Sequence, residues 1–378
     1  MPVVYAPPPD ASAAKAAARA TGAAILARFA ATGAVVVEAD ILQPAEALLD
    51  LYGEDIRARA YTVADPLRGE LMLRPDFTVP VVQRHMAHGA EPARYTYFGE
   101  IFRRQEHRGP RASEYFQVGY ELFDGADPAR SDAEVFALFA DVLAPLGLRA
   151  ATGDIGVLMA AVRGLATTEA RKARLLHHIW RPRRFRALLD GYAGRAAVPE
   201  VRQKMLAVLT VTPVERTLWD QGGVMGLRGE AEIAARARAL LADAETPPIP
   251  PAEVEILDEL FSLRAPMPEA IGRLQDLAVD LPAMAPAVDR LEARAAALAA
   301  RGVDVEHLDF EANFGRTTLE YYDGFVFGFY AEARPDLPPV ASGGRYDALT
   351  RQLGQGQGIP AVGGVIRPGV VAELGGLA

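Results

Sequence analysis

The feature that most constrains this chain is a pair of aromatic-rich stretches joined by a loop dense in arginine. Tyr95, Tyr97 and Phe98 precede the loop; Tyr115, Val118, Tyr120 and Leu122 follow it. Such alternation predicts two antiparallel strands with a connecting loop that holds Arg103, Arg104, Arg108 and Arg111. Guanidinium groups fixed over a sheet suit a phosphate or a carboxylate, because their planar forks match both. A solvated hairpin tip is the plainer reading of an arginine loop. The flanks tell against it: Gln117 and Glu121 lie at even spacing and so present two polar side chains to the same face.

Composition narrows what such a hairpin can belong to. The chain has 378 residues, half of them hydrophobic, enough for one large domain or two ordinary ones. It has no cysteine, which removes disulfides, thiolate metal sites and cysteine nucleophiles together. Its six histidines are scattered without a metal-ligand pattern, so no structural zinc is expected. A formal charge of −9 argues against nucleic acid as the main partner. No run approaches a membrane span, and the N-terminus, Met1-Pro2-Val3-Val4-Tyr5, lacks a secretory signal. A cytoplasmic location, with no membrane partner, is the expectation.

Along the chain, an alanine-rich helix over 11–31 is expected to stop at Gly33. Val35-Val36-Val37 predicts a short buried strand. Paired strands are predicted around the turn Asp65-Pro66-Leu67-Arg68-Gly69. Thr78 to Ala87 predicts a helix. Ser131 with Glu134 reads as a capping box opening another helix. Residues 156–304 then read as a helical insertion, with Pro247-Pro248-Ile249-Pro250-Pro251 as a stiff connector. Its basic cluster, Arg171, Lys172, Arg174, Arg181, Arg183, Arg184 and Arg186, is read as a solvated helix face. Strand character returns from Thr317 to Tyr330 and from Ile359 to Ile366. These hairpins, split around helices, predict an α+β fold with an antiparallel sheet flanked by helices.

Four stretches in order resemble the catalytic core of histidyl-tRNA synthetase, a class II aminoacyl-tRNA synthetase. They are Leu73-Arg74-Pro75-Asp76-Phe77-Thr78, the arginine hairpin from Phe102 to Glu121, Leu319-Glu320-Tyr321-Tyr322-Asp323-Gly324-Phe325-Val326-Phe327, and Gly343-Gly344-Arg345-Tyr346-Asp347 with Leu353-Gly354. The resemblance covers 1–155 and 305–378, which it makes a class II core; no motif of 160–300 aligns. It places Asp76, Thr78 and Gln117 toward an α-amino group and Glu121 and Tyr322 toward an imidazole, with Tyr321 also in the ligand site. Arg103 is placed toward the ligand carboxylate.

The departures bear on activity. The synthetase motif Gly-x-Glu-Arg falls on Arg367-Pro368-Gly369-Val370, so Val370 stands where an arginine would stack on adenine, and Pro368 is expected to interrupt the helix. Gln105 stands for a glutamate. Thr317 stands for an arginine that acts on the reacting carboxylate, with Arg316 one residue off. Phe77 replaces a glycine. Removing one preorganised charge at a transition state costs roughly 3 kcal/mol, so the set should cripple adenylate formation. The chain also stops where a synthetase continues into an anticodon-binding domain, so neither that domain nor a tRNA partner is expected.

This combination resembles the regulatory subunits of short-form ATP phosphoribosyltransferase. The resemblance implies a subunit without catalysis or cofactor of its own. Such a subunit acts with the short catalytic subunit in the first step of histidine biosynthesis and takes histidine as allosteric ligand. It implies a homodimer through 35–51 within a larger hetero-oligomer. An amino-acid-activating enzyme and a stand-alone histidine sensor remain open beside it.

Overall fold

The computed structural model describes residues 11–46, 49, 60–105, 112–212, 216, 229–316 and 321–377. Arg108, Arg111, Thr317, Leu319 and Glu320 lie outside the described residues, as does most of 47–59. The chain divides into two compact units: 1–157 with 263–275 and 286–378, and 158–262 with 276–285.

The strands of the first unit are β1 (Val35–Val36), β2 (Leu42–Pro44), β3 (Thr62–Asp65), β4 (Gly69–Leu73), β5 (Ala93–Phe102), β6 (Glu114–Phe123), β7 (Arg149–Asp154), β8 (Arg264–Pro266), β9 (Asp309–Glu311), β10 (Phe325–Tyr330), β11 (Ala341–Arg345) and β12 (Ala361–Ile366). The helices that matter to the site are α1 (Ala11–Ala30), α2 (Thr78–His88), α3 (Pro128–Leu143), α4 (Ala285–Ala299), α5 (Asp347–Leu353) and α6 (Pro368–Glu373). Nine strands form one sheet in the order β1-β5-β6-β12-β11-β10-β7-β9-β8. Its pairs are antiparallel except β1 with β5 and β7 with β9. A second sheet, β2-β4-β3, carries the turn predicted at 65–69. There the Asp65 carboxylate accepts from the Leu67 and Arg68 amides, and Gly69 supplies a φ of +81°.

The arginine hairpin forms as the alternation requires. β5 and β6 pair without a break from Ala93 opposite Phe123 to Phe102 opposite Glu114. One face of this sheet is apolar and covered. Ile25 and Phe29 of α1 are fully buried, and Phe29 meets Tyr120 edge-on at 5.4 Å between ring centroids. Phe136 and Phe139 of α3 pack on Phe325, Phe327 and Phe329. Each such ring removed from water contributes about 1.5–3 kcal/mol, so this face anchors the sheet. The opposite face carries Tyr97, Gly119, Gln117, Glu121 and Gly363, and is the one that matters for function.

Several expectations change. Val35 and Val36 are 55% and 52% exposed, because β1 is an edge strand; only Val37 is buried. α3 starts a turn earlier than the capping box at Ser131. Pro128 fits the first helical position, and the Asp127 carboxylate caps the Arg130 amide at 3.1 Å. Glu134 instead holds Arg94 through two bonds of 2.7 and 3.0 Å. Pro368 opens α6 rather than interrupting a helix, for the same reason that Pro128 opens α3. Tyr321 lies in a turn, and β10 begins only at Phe325; Phe325 to Phe329 are all buried because β10 lies inside the sheet.

Residues 286–304, grouped with the insertion on composition, lie in the first unit. There Arg294 of α4 reaches Asp132 and Asp154, each at 2.7 Å. The second unit is helical and includes Glu169–His177, Pro182–Tyr192, Glu200–Val211, Glu230–Glu245 and Pro251–Ser262. Arg171 departs from the solvated-face reading of its cluster. It is buried, bonds Asp243 at 2.7 Å and the Pro247 carbonyl at 2.8 Å, and lies over the Tyr192 ring. Among the described residues no helix is long and apolar enough to cross a membrane.

Candidate functional site

The site is built on the face of β5, β6 and β12 away from α1 and α3. Two glycines make it. Tyr97 lies across Gly119, its partner on β6; a Cβ there would stand 2.0 Å from the ring. Gly363 of β12 faces Glu121, and a Cβ there would stand 1.6 Å from Glu121 Oε2. With both side chains absent, a phenol and a carboxylate lie flat on the sheet and meet.

Glu121 is the acidic pole. Thr78 and Tyr97 each donate a hydroxyl to its Oε1 at 2.9 Å, and Tyr346 donates to Oε2 at 2.5 Å. Three donors leave about one of the carboxylate's four acceptor positions open. Burial pushes its carboxyl up to about 7, against the pull of the three hydroxyls; the nearby Asp76 carboxylate raises it further. Tyr97 and Tyr346 are held well above the ordinary phenol range, by burial and then by Glu121. Asp76, itself buried, accepts from the Val79 amide at 3.3 Å at the start of α2. Tyr321 reaches the Thr78 hydroxyl at 3.5 Å.

The basic side lies further along the same strands. Arg103 donates from Nε to the Pro75 carbonyl at 2.9 Å. Gln105 turns back on its own loop, donating to the Arg103 and Ala112 carbonyls. Tyr322 packs beside Tyr321 and Tyr346, with ring centroids 4.8 and 6.5 Å apart. Burial raises its hydroxyl first, the Glu121 charge raises it further, and Arg103 draws it back. Gln117 is 1% exposed, and among the described residues its Oε1 has no hydrogen-bond partner. A buried amide oxygen left unbonded costs about 1–3 kcal/mol, so it marks a position that a donor would fill.

Of the sequence-predicted positions, Asp76, Thr78, Arg103, Glu121, Tyr321 and Tyr322 are tied by short contacts or shared fields, while Gln117 joins them only by standing on the same face of β6 as Glu121. Sequence reasoning misses Tyr97 and Tyr346 as partners of Glu121. The alternation of β5 puts Tyr97 on the Glu121 face, but nothing in the sequence brings Tyr346 there from β11. Phe77 fills the place of the synthetase glycine by stacking on Tyr97 at 4.5 Å, with the Arg74 guanidinium 4.0 Å from its ring. Arg316 is buried, bonds Asn313 at 2.7 Å, and is lowered to about 10 by burial. Val370, at the position of the adenine-stacking arginine, is a core residue of α6.

The histidyl-tRNA synthetase family model matches residues 8–221 and 226–368. The ATP phosphoribosyltransferase regulatory subunit of Allorhizobium ampelinum is 34% identical over 354 residues, 90% of this chain and 93% of that one. That of Agrobacterium fabrum is 34% identical over 353 residues, covering 90% and 92%. The chain belongs to the ATP phosphoribosyltransferase regulatory subunit family. Its members are regulatory rather than catalytic, which agrees with a core valine at 370. Among solved structures, an ATP phosphoribosyltransferase regulatory subunit/histidyl-tRNA synthetase from Bacillus halodurans superposes with a TM-score of 0.62 at 20% identity, covering 99% of this chain and 84% of that one. A histidyl-tRNA synthetase from Nostoc sp. PCC 7120 gives 0.62 at 15% identity, covering 98% and 75%. These show a class II synthetase-like fold. The family match also runs through the insertion, where no short motif signals it.

Proposed function

We propose that this regulatory subunit acts with an ATP phosphoribosyltransferase catalytic subunit and makes the first step of histidine biosynthesis sensitive to histidine. Histidine binds on the face of β5, β6 and β12, with its imidazole toward Glu121 and Tyr322 and its ammonium toward Asp76 and Gln117. The observation that carries this reading is the unbonded Gln117 Oε1. A buried amide oxygen facing the same side as two buried carboxylates calls for a cationic donor. Neither tRNA nor adenylate chemistry is part of the role, since the motif arginine is replaced by Val370.

The subunit is proposed to pair with a second copy within a larger hetero-oligomer. What supports this is the exposure of apolar side chains on edge and small-sheet strands, Val35 and Val36 on β1 and Ile41, Tyr61, Val63 and Leu67 near the small sheet. Calorimetric titration of histidine into the chain tests the ligand. Saturable binding that Gln117→Leu weakens about tenfold or more is expected, and absence of binding to the wild type, alone and with its catalytic partner, overturns the site. Histidine-dependent exchange of pyrophosphate into ATP by the purified chain would restore the enzyme reading.

A further inference from the structure

One guanidinium on this face has no counterpart in the synthetase pattern. Arg367 stands where the Gly-x-Glu-Arg motif has its glycine. Its neighbour across the sheet is the residue whose acceptor is unbonded. The β6–β12 ladder ends with Val118 opposite Ile366, and one step further stand Gln117 and Arg367. The Arg367 amide continues the sheet by donating to the Val340 carbonyl at 2.8 Å. Alternation along β12 then puts its side chain on the face of Gly363, hence of Glu121.

That guanidinium, half-buried, is held unlike three of the buried arginines. Arg171, Arg294 and Arg345 are each locked to aspartates. Among the described residues Arg367 bonds neutral oxygens, the Pro339 carbonyl and the Tyr115 hydroxyl, fewer partners than its five donors can take. Burial lowers its pKa first; Tyr115 pulls it back up, and the Arg103 charge lowers it again. Two half-buried guanidiniums on one face whose charges oppose each other favour an anion between them. Tyr322 feels the charges of both Glu121 and Arg103.

We propose that Arg367, with Arg103, seats the anionic group of the ligand, and that this group is the α-carboxylate of an amino acid. The reading rests on the proposed histidine site. The face presents carboxylates at one pole and guanidiniums at the other, with an amide acceptor on β6 between, which is the charge order of a zwitterion with a basic side chain. A phosphate would satisfy the arginines, but it has no use for Asp76, Gln117 and Glu121. The guanidinium that the synthetase pattern brings to the carboxylate from position 317 thus comes from the end of β12 instead.

The test compares histidine with histidinol, in which a hydroxymethyl group replaces the carboxylate, by calorimetry on the full chain. Wild type is expected to prefer histidine by about tenfold or more, the worth of one charge-assisted bond. Arg367→Met is expected to abolish that preference by weakening histidine while leaving histidinol affinity unchanged. Arg367→Lys, which keeps the charge but not the fork, is expected to retain part of it. Histidine preference that survives in Arg367→Met overturns the assignment, as does equal loss of both ligands in both variants. Inorganic phosphate that binds wild type but not Arg367→Met, with the histidine preference untouched by the substitution, makes this a phosphate seat and likewise overturns it. Failure of both histidine and histidinol to bind the wild type brings down the underlying site together with this inference.

Discussion

The Tyr346 hydroxyl donates to Glu121 Oε2 at 2.5 Å, joining the residue after β11 to the C-terminal part of β6 across 225 residues of sequence. Tyr346 also precedes α5, whose first amides are held by Asp323: Asp347 N at 2.9 Å and Ala348 N at 2.8 Å. The carboxylate at the centre of the site therefore fixes the entry to a helix as well as a pocket wall. A ligand that takes a bond from Glu121 competes with this attachment.

Glu121 should make stability fall as pH rises. Its folded carboxyl titrates at about 7, above the ordinary 4.5, so the folded state holds more protons between those values. The unfolding free energy then declines through that window, by roughly 3 kcal/mol in all, and stays reduced above it. Glu121→Gln, which has no proton to lose, should remove this slope. Urea melts of both proteins at pH 5 and pH 8 check it, and parallel pH responses would refute it.

Gly363→Ala should damage the site specifically. The added methyl would stand 1.6 Å from Glu121 Oε2, so the carboxylate must leave its three hydroxyl donors. Overpacking of this kind costs about 1–3 kcal/mol. The expected result is a folded protein with a lower urea midpoint and histidine binding abolished. Unchanged binding would mean that Glu121 does not hold the ligand.

Much of this arrangement is legible in the chain. The β5–β6 hairpin follows from its alternation, and the single face shared by Gln117 and Glu121 follows from period two. What is not legible depends on tertiary pairing. Tyr97 and Tyr346 read as strand and motif residues; only the glycines at 119 and 363 let them reach one carboxylate. Ser131 resembles a cap because Glu134 follows it at the right spacing, but Asp127-Pro128 caps more strongly and frees Glu134 for Arg94. Val35-Val36 reads as core because periodicity does not distinguish an edge strand from a central one. Arg367 reads as a displaced motif arginine; only the sheet register shows that it stands beside Gln117.

The buried ion network under the other face should be costly to break. Arg294 donates to Asp132 and Asp154 at 2.7 Å each, and Arg345 donates to Asp132 at 2.9 Å. Arg294→Met leaves the buried Asp154 carboxylate without its guanidinium, with the Val157 amide at 3.2 Å still donating to it, and removal of one partner of a buried pair costs about 3–5 kcal/mol. A drop of that size in urea unfolding is expected at pH 7, with partial recovery in Arg294→Met/Asp154→Asn, where the stranded charge is gone. Equal stability of the single and double variants would show that the charge was not the cause.

Phe77 should couple packing to binding. It lies between the Arg74 guanidinium at 4.0 Å and the Tyr97 ring at 4.5 Å, and Tyr97 in turn holds Glu121. Phe77→Ala leaves a cavity under both, at about 3–5 kcal/mol. Phe77→Leu keeps most of the volume but removes the aromatic stack and the cation–π attraction, each worth about 0.5–2 kcal/mol. If Phe77 positions Tyr97, Phe77→Leu should weaken histidine binding while its urea midpoint falls less than that of Phe77→Ala. Calorimetry and urea melts on the two variants separate the effects. Wild-type histidine affinity in Phe77→Leu, with stability reduced, would confine Phe77 to packing and leave Tyr97 to be held by Gly119 and Glu121 alone.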